Sequence, residues 1–213
     1  MDAMGCIMSV GSTLRHLIVD DQVTVWGTGI ISSDDVFKRP KKVHAVRGPL
    51  TKHRLESLGY ECPANFGDPA ILLPKFYQPV QSLKRHSIGL IPHFVDLERL
   101  GFAEGLHTID PTRPVPEVID DISSCEMTFS SSLHGLIISH AYGVPCIWIR
   151  SINPIHGDDS KFRDYFLSVG LDPEPVAVEE YTIQNLAMHK HNAMISDHNP
   201  LLRVPEECGP FSI

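Results

Sequence analysis

The chain has 213 residues, 42% of them hydrophobic and 21% charged, with a formal net charge of −8 at pH 7. That balance suits a globular protein of one large α/β domain or two small ones. It argues against a general nucleic-acid or anionic-membrane surface, while leaving room for a local basic pocket.

In chain order, the first strong element is a buried strand at Gln22–Ile30 that ends in a glycine-rich turn, Gly27-Thr28-Gly29. A G-x-G lacking its third glycine does not make a dinucleotide site. Lys41–Val46 gives the next strand. Arg47-Gly48-Pro49-Leu50-Thr51 then turns into a helix ending near Leu58-Gly59, with Leu50, Arg54, Leu55 and Leu58 at helical spacing. Arg47 stands at a strand's carboxyl end, where open α/β sheets place ligand groups, although the position also suits a surface ion pair. Asp68 in Gly67-Asp68-Pro69-Ala70 reads as a helix cap or turn former. Phe76–Ser87 is polar and unpatterned and reads as a linker.

The second half opens with a strand at Ser87–Ile91, followed by Pro92-His93 in a strand-end loop. There His93 can face a cleft or simply be solvated. Leu106–Asp110 gives a strand, Val115–Ser124 a helix, and Met127-Thr128-Phe129 another strand. Ser130-Ser131-Ser132 supplies cap-type residues before a helix opening at His134-Gly135. Cys146–Ile149 is a β-branched and aromatic run suited to a buried parallel strand. The helix start carries free N–H groups and a partial positive charge, so its serines are either caps or part of an anion site. Arg150 occupies a further strand end. His156-Gly157-Asp158-Asp159 offers few ligands at no diagnostic spacing and reads as a solvated loop, so no metal site is expected. Ser160–Val169 forms a helix, with Ser160 as a cap and Lys161 in its first turn. A lysine there opposes the helix dipole, and that local misfit favours a role such as holding an anion. Glu179–Met194 reads as a closing helix, with His189, His191 and His198 on the surface.

Five scattered cysteines (Cys6, Cys62, Cys125, Cys146, Cys208) include no C-x-x-C pair. They read as reduced thiols of a cytoplasmic protein, with Cys125 and Cys146 in the core. No basic N-terminal region leads into an apolar run, and no stretch reaches about 18 apolar residues.

The run Ser131-Ser132-Leu133-His134-Gly135 through Gly143-Val144-Pro145 resembles the C-terminal signature of the polysaccharide pyruvyl transferase family. Val25-Trp26-Gly27-Thr28-Gly29-Ile30, Ala45-Val46-Arg47-Gly48-Pro49-Leu50, Gly67-Asp68-Pro69-Ala70, Ile88-Gly89-Leu90-Ile91-Pro92-His93 and Lys161-Phe162-Arg163-Asp164-Tyr165 follow in that family's order. Ser9-Val10-Gly11-Ser12 is similar to a segment that in the family follows an opening strand and helix. With eight residues ahead of it, the N-terminal strand-helix unit is expected to be missing.

The resemblance implies an α/β protein with two Rossmann-like lobes, similar to the two-domain (GT-B-like) glycosyltransferases. The lobes would be a shortened first lobe at 1–80 and a second lobe at 87–172 carrying the donor-binding helix. A tail at 173–213 would pack back on the first lobe. It implies transfer of pyruvate from phosphoenolpyruvate to a sugar or lipid-linked oligosaccharide acceptor, with no cofactor beyond that donor and no nucleic acid. The protein would be cytoplasmic, with docking to membrane polysaccharide-assembly machinery. His134 is the expected catalytic acid. Arg47, Arg150, Lys161, Ser131, Ser132 and His93 are the expected substrate-binding residues. The alternatives are a glycosyltransferase using a nucleotide sugar and an inactive fragment that pairs with a partner chain.

Overall fold

Short β-branched runs bounded by polar turns build two separate parallel sheets in the computed structural model, which describes residues 6–15, 20–80, 83–100 and 105–196. The strands are β1 (Cys6–Met8), β2 (Val23–Trp26), β3 (Lys42–Ala45), β4 (His86–Ile91), β5 (His107–Thr108), β6 (Cys125–Ser130) and β7 (Cys146–Trp148). The α-helices are α1 (Pro49–Ser57), α2 (Leu97–Leu100), α3 (Val115–Ser123), α4 (Leu133–Ala141), α5 (Ser160–Ser168) and α6 (Ile183–Met188). The chain divides into two compact units. Of the described residues, those up to Pro69 form one with His156–Asp172, and Ala70–Ile155 form the other with 173–196.

In the first unit the sheet order is β1-β2-β3, every pair parallel. Val23 and Val25 alternate inward, and they join Met8, Leu14, Ile30, Phe37, Val46 and Leu55 in one core. β1 ends at Met8, directly before Ser9. Pro49 opens α1, a position that costs no backbone hydrogen bond.

The interior of this unit holds a charge pair. Arg47 and Asp164 are both fully buried, with Arg47 Nε 3.2 Å from Asp164 Oδ2. Arg47 Nη1 donates to Ser12 Oγ at 2.6 Å, and Nη2 donates to the Ile30 carbonyl. Asp164 also accepts from Thr51 N at 3.0 Å and from Thr51 Oγ1 at 2.5 Å. Gly29 and Gly48 make room for the pair. A Cβ on Gly29 would lie 2.5 Å from Arg47 Cζ, and one on Gly48 would collide with the Asp164 carbonyl. This pair holds α5 against α1 and explains why α5 belongs to the first unit, where the sequence order had grouped it with the second lobe. Its cap also differs from expectation. Asp159, in a left-handed conformation (φ 67°), takes the cap position, and Ser160 is buried as the first helical residue.

In the second unit the order is β5-β4-β6-β7, again all parallel. Both faces of this sheet are covered, as parallel sheets require. Ile119, Ile122, Ile138 and Val144 pack with Ile91 and Cys125 in one cluster. Leu186 of α6 packs with Ile88, Leu90, Phe129 and Ile147 in the other. Burial pushes the Cys125 thiol up to about 11 and that of Cys146 up to about 12, so neither is a thiolate at neutral pH.

Two elements are shorter than the sequence suggested. The strand expected over Leu106–Asp110 pairs at His107 and Thr108. The closing helix expected over Glu179–Met194 is α6 followed by a 3₁₀ turn at Lys190–Asn192. Only Leu186 of α6 is fully anchored, while Ile183 and Met188 face solvent, so packing sustains less than two turns. Residues 173–196 of the tail lie with the second unit, and those from 197 on, with His198 and Cys208, lie outside the described residues.

Arg47→Ala should destabilise the first unit by about 3–5 kcal/mol, because it leaves the Asp164 carboxylate buried without its counter-charge. The check is urea unfolding in a Trp148→Phe background, where Trp26 reports on the first unit alone. A loss below about 1 kcal/mol would show that the pair does not hold α5.

Candidate active site

Parallel strands place their carboxyl ends on one edge, so the loops after β4, β6 and β7 leave the second sheet on the same side. Those loops carry His93, the Ser130–His134 run and Arg150.

Ser130 is the pivot. Its hydroxyl accepts from Ser132 N at 3.0 Å and lies 3.0 Å from the Ile91 carbonyl and 2.9 Å from that of Ser132. Ile149 N donates to the Ser130 carbonyl at 3.0 Å, joining the end of β7 to the same point. Gly135 lets the first turn of α4 settle on this hydroxyl; a Cβ there would overlap Ser130 Oγ and lie 2.8 Å from Ile91 Cγ2. The histidine-glycine pair thus opens a helix pressed directly onto a strand end.

The serines divide their work. Ser131 is buried, and its hydroxyl accepts the His93 backbone N–H at 2.8 Å, so it fixes the loop after β4. Ser132 holds the N-cap position of α4 but its hydroxyl makes no capping bond. Among the described residues that hydroxyl has no hydrogen-bond partner, and it is half-buried. His134 is half-buried in the first turn of α4. His93 uses its ring Nδ1 to accept from Val95 N at 3.4 Å, and its ring lies 4.6 Å from that of Phe94. An accepting Nδ1 leaves the proton of the neutral ring on Nε2.

Asp96 left no mark in the residue pattern. This carboxylate is fully buried and accepts from Ser151 Oγ (2.6 Å), Ile152 N (3.0 Å), Asn153 N (2.9 Å) and Asn153 Nδ2 (2.8 Å). It ties the loop after β4 to the loop after β7 directly beside Arg150. Burial alone would raise its pKa, but the bonds from Ser151, Asn153 and Ile152 prevail and hold it below the ordinary value. Arg150 itself is exposed and, with Arg99, Ser151 and Tyr181, lines a cavity of about 520 Å³ in this unit. Tyr181 Oη donates to the Arg150 carbonyl at 3.3 Å. Arg99 and Tyr181 were also missed; one sits in a single-turn helix and the other in an irregular segment, where periodicity says nothing.

The remaining two expected residues belong to the first unit. Arg47 has no exposed surface and its guanidinium is committed to Ser12, Ile30 and Asp164, so in this structure its charge serves the interior and faces no solvent-lined pocket. Lys161 is half-buried in the first turn of α5, its Nζ 5.2 Å from the Phe162 ring centroid. Burial, reinforced by the Arg47 charge, lowers its pKa, with Asp159 opposing. A cation under that pressure gains from an anion. Among the described residues no three histidine, cysteine or carboxylate side chains are grouped to hold a metal ion. Asp158 instead accepts from Ser33 N at 3.1 Å, Ser33 Oγ at 2.5 Å and Ser160 N at 3.1 Å.

Two parallel sheets with polar side chains gathered on strand-end loops, and a serine-histidine helix start seated on a glycine, define a mixed α/β protein. The chain belongs to the polysaccharide pyruvyl transferase family, which it matches over residues 22–153. It is 31% identical over 158 residues to an uncharacterised protein of Acanthamoeba polyphaga mimivirus, covering 70% of this chain and 55% of that one. It is 30% identical over 145 residues to the succinoglycan biosynthesis protein ExoV of Rhizobium meliloti (strain 1021), covering 62% of this chain and 42% of that one. The chain thus spans about half the length of the curated relatives it matches. No solved structure matches it. Among the described residues no helix is long and apolar enough to cross a membrane.

Asp96→Asn should weaken the second unit by about 1–3 kcal/mol at neutral pH, the range for hydrogen bonds to a charged group. The folded pKa of Asp96 is depressed, so its contribution is complete above the unfolded value of about 3.9 and fades as pH falls through the folded one. The stability gap between parent and variant should therefore stay constant near neutrality and close in strong acid, read from Trp148 fluorescence in a Trp26→Phe background. A gap that persists unchanged to the lowest accessible pH would show that the carboxylate charge is not what the donors recognise.

Proposed function

We propose that this chain transfers pyruvate from phosphoenolpyruvate to paired hydroxyls of a sugar, closing a ketal, in exopolysaccharide or cell-surface polysaccharide biosynthesis. The observation that carries the reading is the start of α4. There a half-buried histidine and an uncommitted serine hydroxyl stand at the positive pole of a helix on the carboxyl edge of a parallel sheet. The family membership and the similarity to a succinoglycan biosynthesis protein support the polysaccharide context. The reading carries with it a two-lobed, GT-B-like arrangement of Rossmann-like lobes in the cytoplasm. Two all-parallel sheets, each joined to helices at strand ends, support the first part.

The chemistry accounts for the residue types. Phosphoenolpyruvate bears a carboxylate and a phosphate, which call for Arg150 and for the backbone N–H groups and Ser132 hydroxyl at the start of α4. His134 gives a proton to the methylene carbon, leaving an oxocarbenium-like centre at the neighbouring carbon. One sugar hydroxyl adds there and releases its proton. The carbon–oxygen bond to phosphate then breaks, phosphate leaves, and the second hydroxyl closes the ketal. Donor and diol thus yield ketal and inorganic phosphate, with no redox step and no cofactor. Ser131 and His93 shape the edge in this reading, and the acceptor is a sugar or lipid-linked oligosaccharide. The direct test is incubation with phosphoenolpyruvate and oligosaccharide acceptors, following acceptor-dependent phosphate release. Release from a nucleotide sugar instead would establish the glycosyltransferase alternative.

His134→Gln keeps a hydrogen-bond donor of similar reach but no titratable proton. Donor binding is expected within about tenfold of the parent, and turnover reduced by roughly 10²–10⁴. Near-parental turnover would remove His134 from proton transfer. In the first unit the same reading gives Lys161 the task of holding an anionic group. Lys161→Ala should weaken phosphoenolpyruvate binding by about 1–3 kcal/mol. The melting temperature should not fall, because burial and Arg47 already disfavour the charged ammonium. Lowered stability with donor binding intact would make the residue structural.

A further inference from the structure

The segment from Val36 to Lys42 carries four cations, Lys38, Arg39, Lys41 and Lys42, in a chain whose net charge is −8. It is held rigidly from behind. Phe37 and Pro40 are buried, Lys41 N donates to the Val23 carbonyl at 2.8 Å, and Tyr60 Oη donates to the Phe37 carbonyl at 3.2 Å. With those two side chains turned inward, all four cations face outward and are exposed, and Val36 is 72% exposed beside them. Arg39 lies over the Tyr60 ring, 5.9 Å from its centroid. Arg39, Lys41, Lys42 and Tyr60 line a groove of about 530 Å³ within the first unit, to which Glu61 contributes the one carboxylate. Among the described residues none of the four cations forms an ion pair or side-chain hydrogen bond.

We propose that this face of the first unit docks on an anionic membrane surface by binding lipid phosphate groups. Unpaired like charges held together by a fixed backbone repel one another, and a field of phosphates removes that repulsion. None of the four is buried and aimed at one point, so they do not form a chelate for a single small anion. Each contributes through a long, solvated side chain, the condition under which many weak contacts to a surface add. The exposed valine and the partly buried tyrosine supply the apolar contact that accompanies such contacts at the headgroup layer. The site is distinct from the carboxyl edge of the second sheet, so the inference stands apart from the pyruvyl-transfer reading.

The test uses the full chain and sedimentation with vesicles of phosphatidylcholine, alone or mixed in equal parts with phosphatidylglycerol. Binding to the mixed vesicles only, weakening as salt is raised, is expected. The variant Lys38→Gln/Arg39→Gln/Lys41→Gln/Lys42→Gln should lose about 10²-fold or more in partitioning, given the contribution of each basic residue near an anionic surface. Should that variant fold poorly by circular dichroism, Lys38→Gln/Lys41→Gln should still lose at least about tenfold. Phosphate release from phosphoenolpyruvate with a soluble acceptor is a separate readout that neither variant should change. No binding to the mixed vesicles, binding unaltered in both variants, full displacement by inorganic diphosphate at equal phosphate concentration, or preference for duplex DNA would each overturn the proposal.

Discussion

The buried pair between Arg47 and Asp164, 117 residues apart in sequence, is the interaction on which the first unit depends. Two charges taken out of water repay their desolvation only when the surrounding groups complete their hydrogen bonding. Here Ser12, the Ile30 carbonyl and Thr51 do so. Four of the segments that mark the family resemblance therefore meet at one guanidinium–carboxylate contact: Ser9–Ser12, the glycine turn at 27–29, Arg47-Gly48, and Lys161–Tyr165. Gly29 and Gly48 belong to that contact because only a missing side chain lets the backbone approach so closely.

The second unit solves a different problem with the same economy of side chains. Its strand-end loops have to be fixed without filling the edge they line. Ser130, Ser131 and Asp96 do this from beneath, each spending its polar atoms on backbone or loop groups. The Ser132 hydroxyl and the Arg150 side chain are thereby presented above a floor already satisfied in its hydrogen bonds. Gly135 brings the start of α4 within reach of that floor. The positive pole of the helix and the scaffold serine are then positioned by one close contact.

Much of this was legible in the residues. Apolar and β-branched runs marked β3, β4 and β7 to within a residue, β2 was drawn four residues too long at its carboxyl end, and the serine run before an apolar stretch marked α4. The rule that ligand groups gather at strand carboxyl ends brought His93, Ser132, His134 and Arg150 to one edge. The same rule misled at Arg47, because a strand-end arginine and a buried ion-pair arginine look alike until the partner is known. No local pattern ties residue 47 to residue 164. Lys161 was singled out by its conflict with the helix dipole, a purely local signal; in the structure burial and the Arg47 charge lower its pKa. Asp96 was missed because its value lies in the backbone donors around it, which leave no mark on composition or periodicity. The closing helix was drawn too long because a polar stretch with scattered apolar residues satisfies helical spacing without having a surface to bury.

The placement of α5 also bears on how the chain is made. The first unit is assembled from residues up to Pro69 and from His156–Asp172, with most of the second unit encoded in between. A ribosome releases the Arg47 strand long before it releases the helix that carries Asp164. Until then the cation of the first sheet lacks its counter-ion, while the strands β4 to β7 of the second sheet have all been released and can pair. Synthesis from the N-terminus therefore leaves both units open until late: α5 arrives to supply the first unit's missing charge, and α6 follows to cover the second sheet.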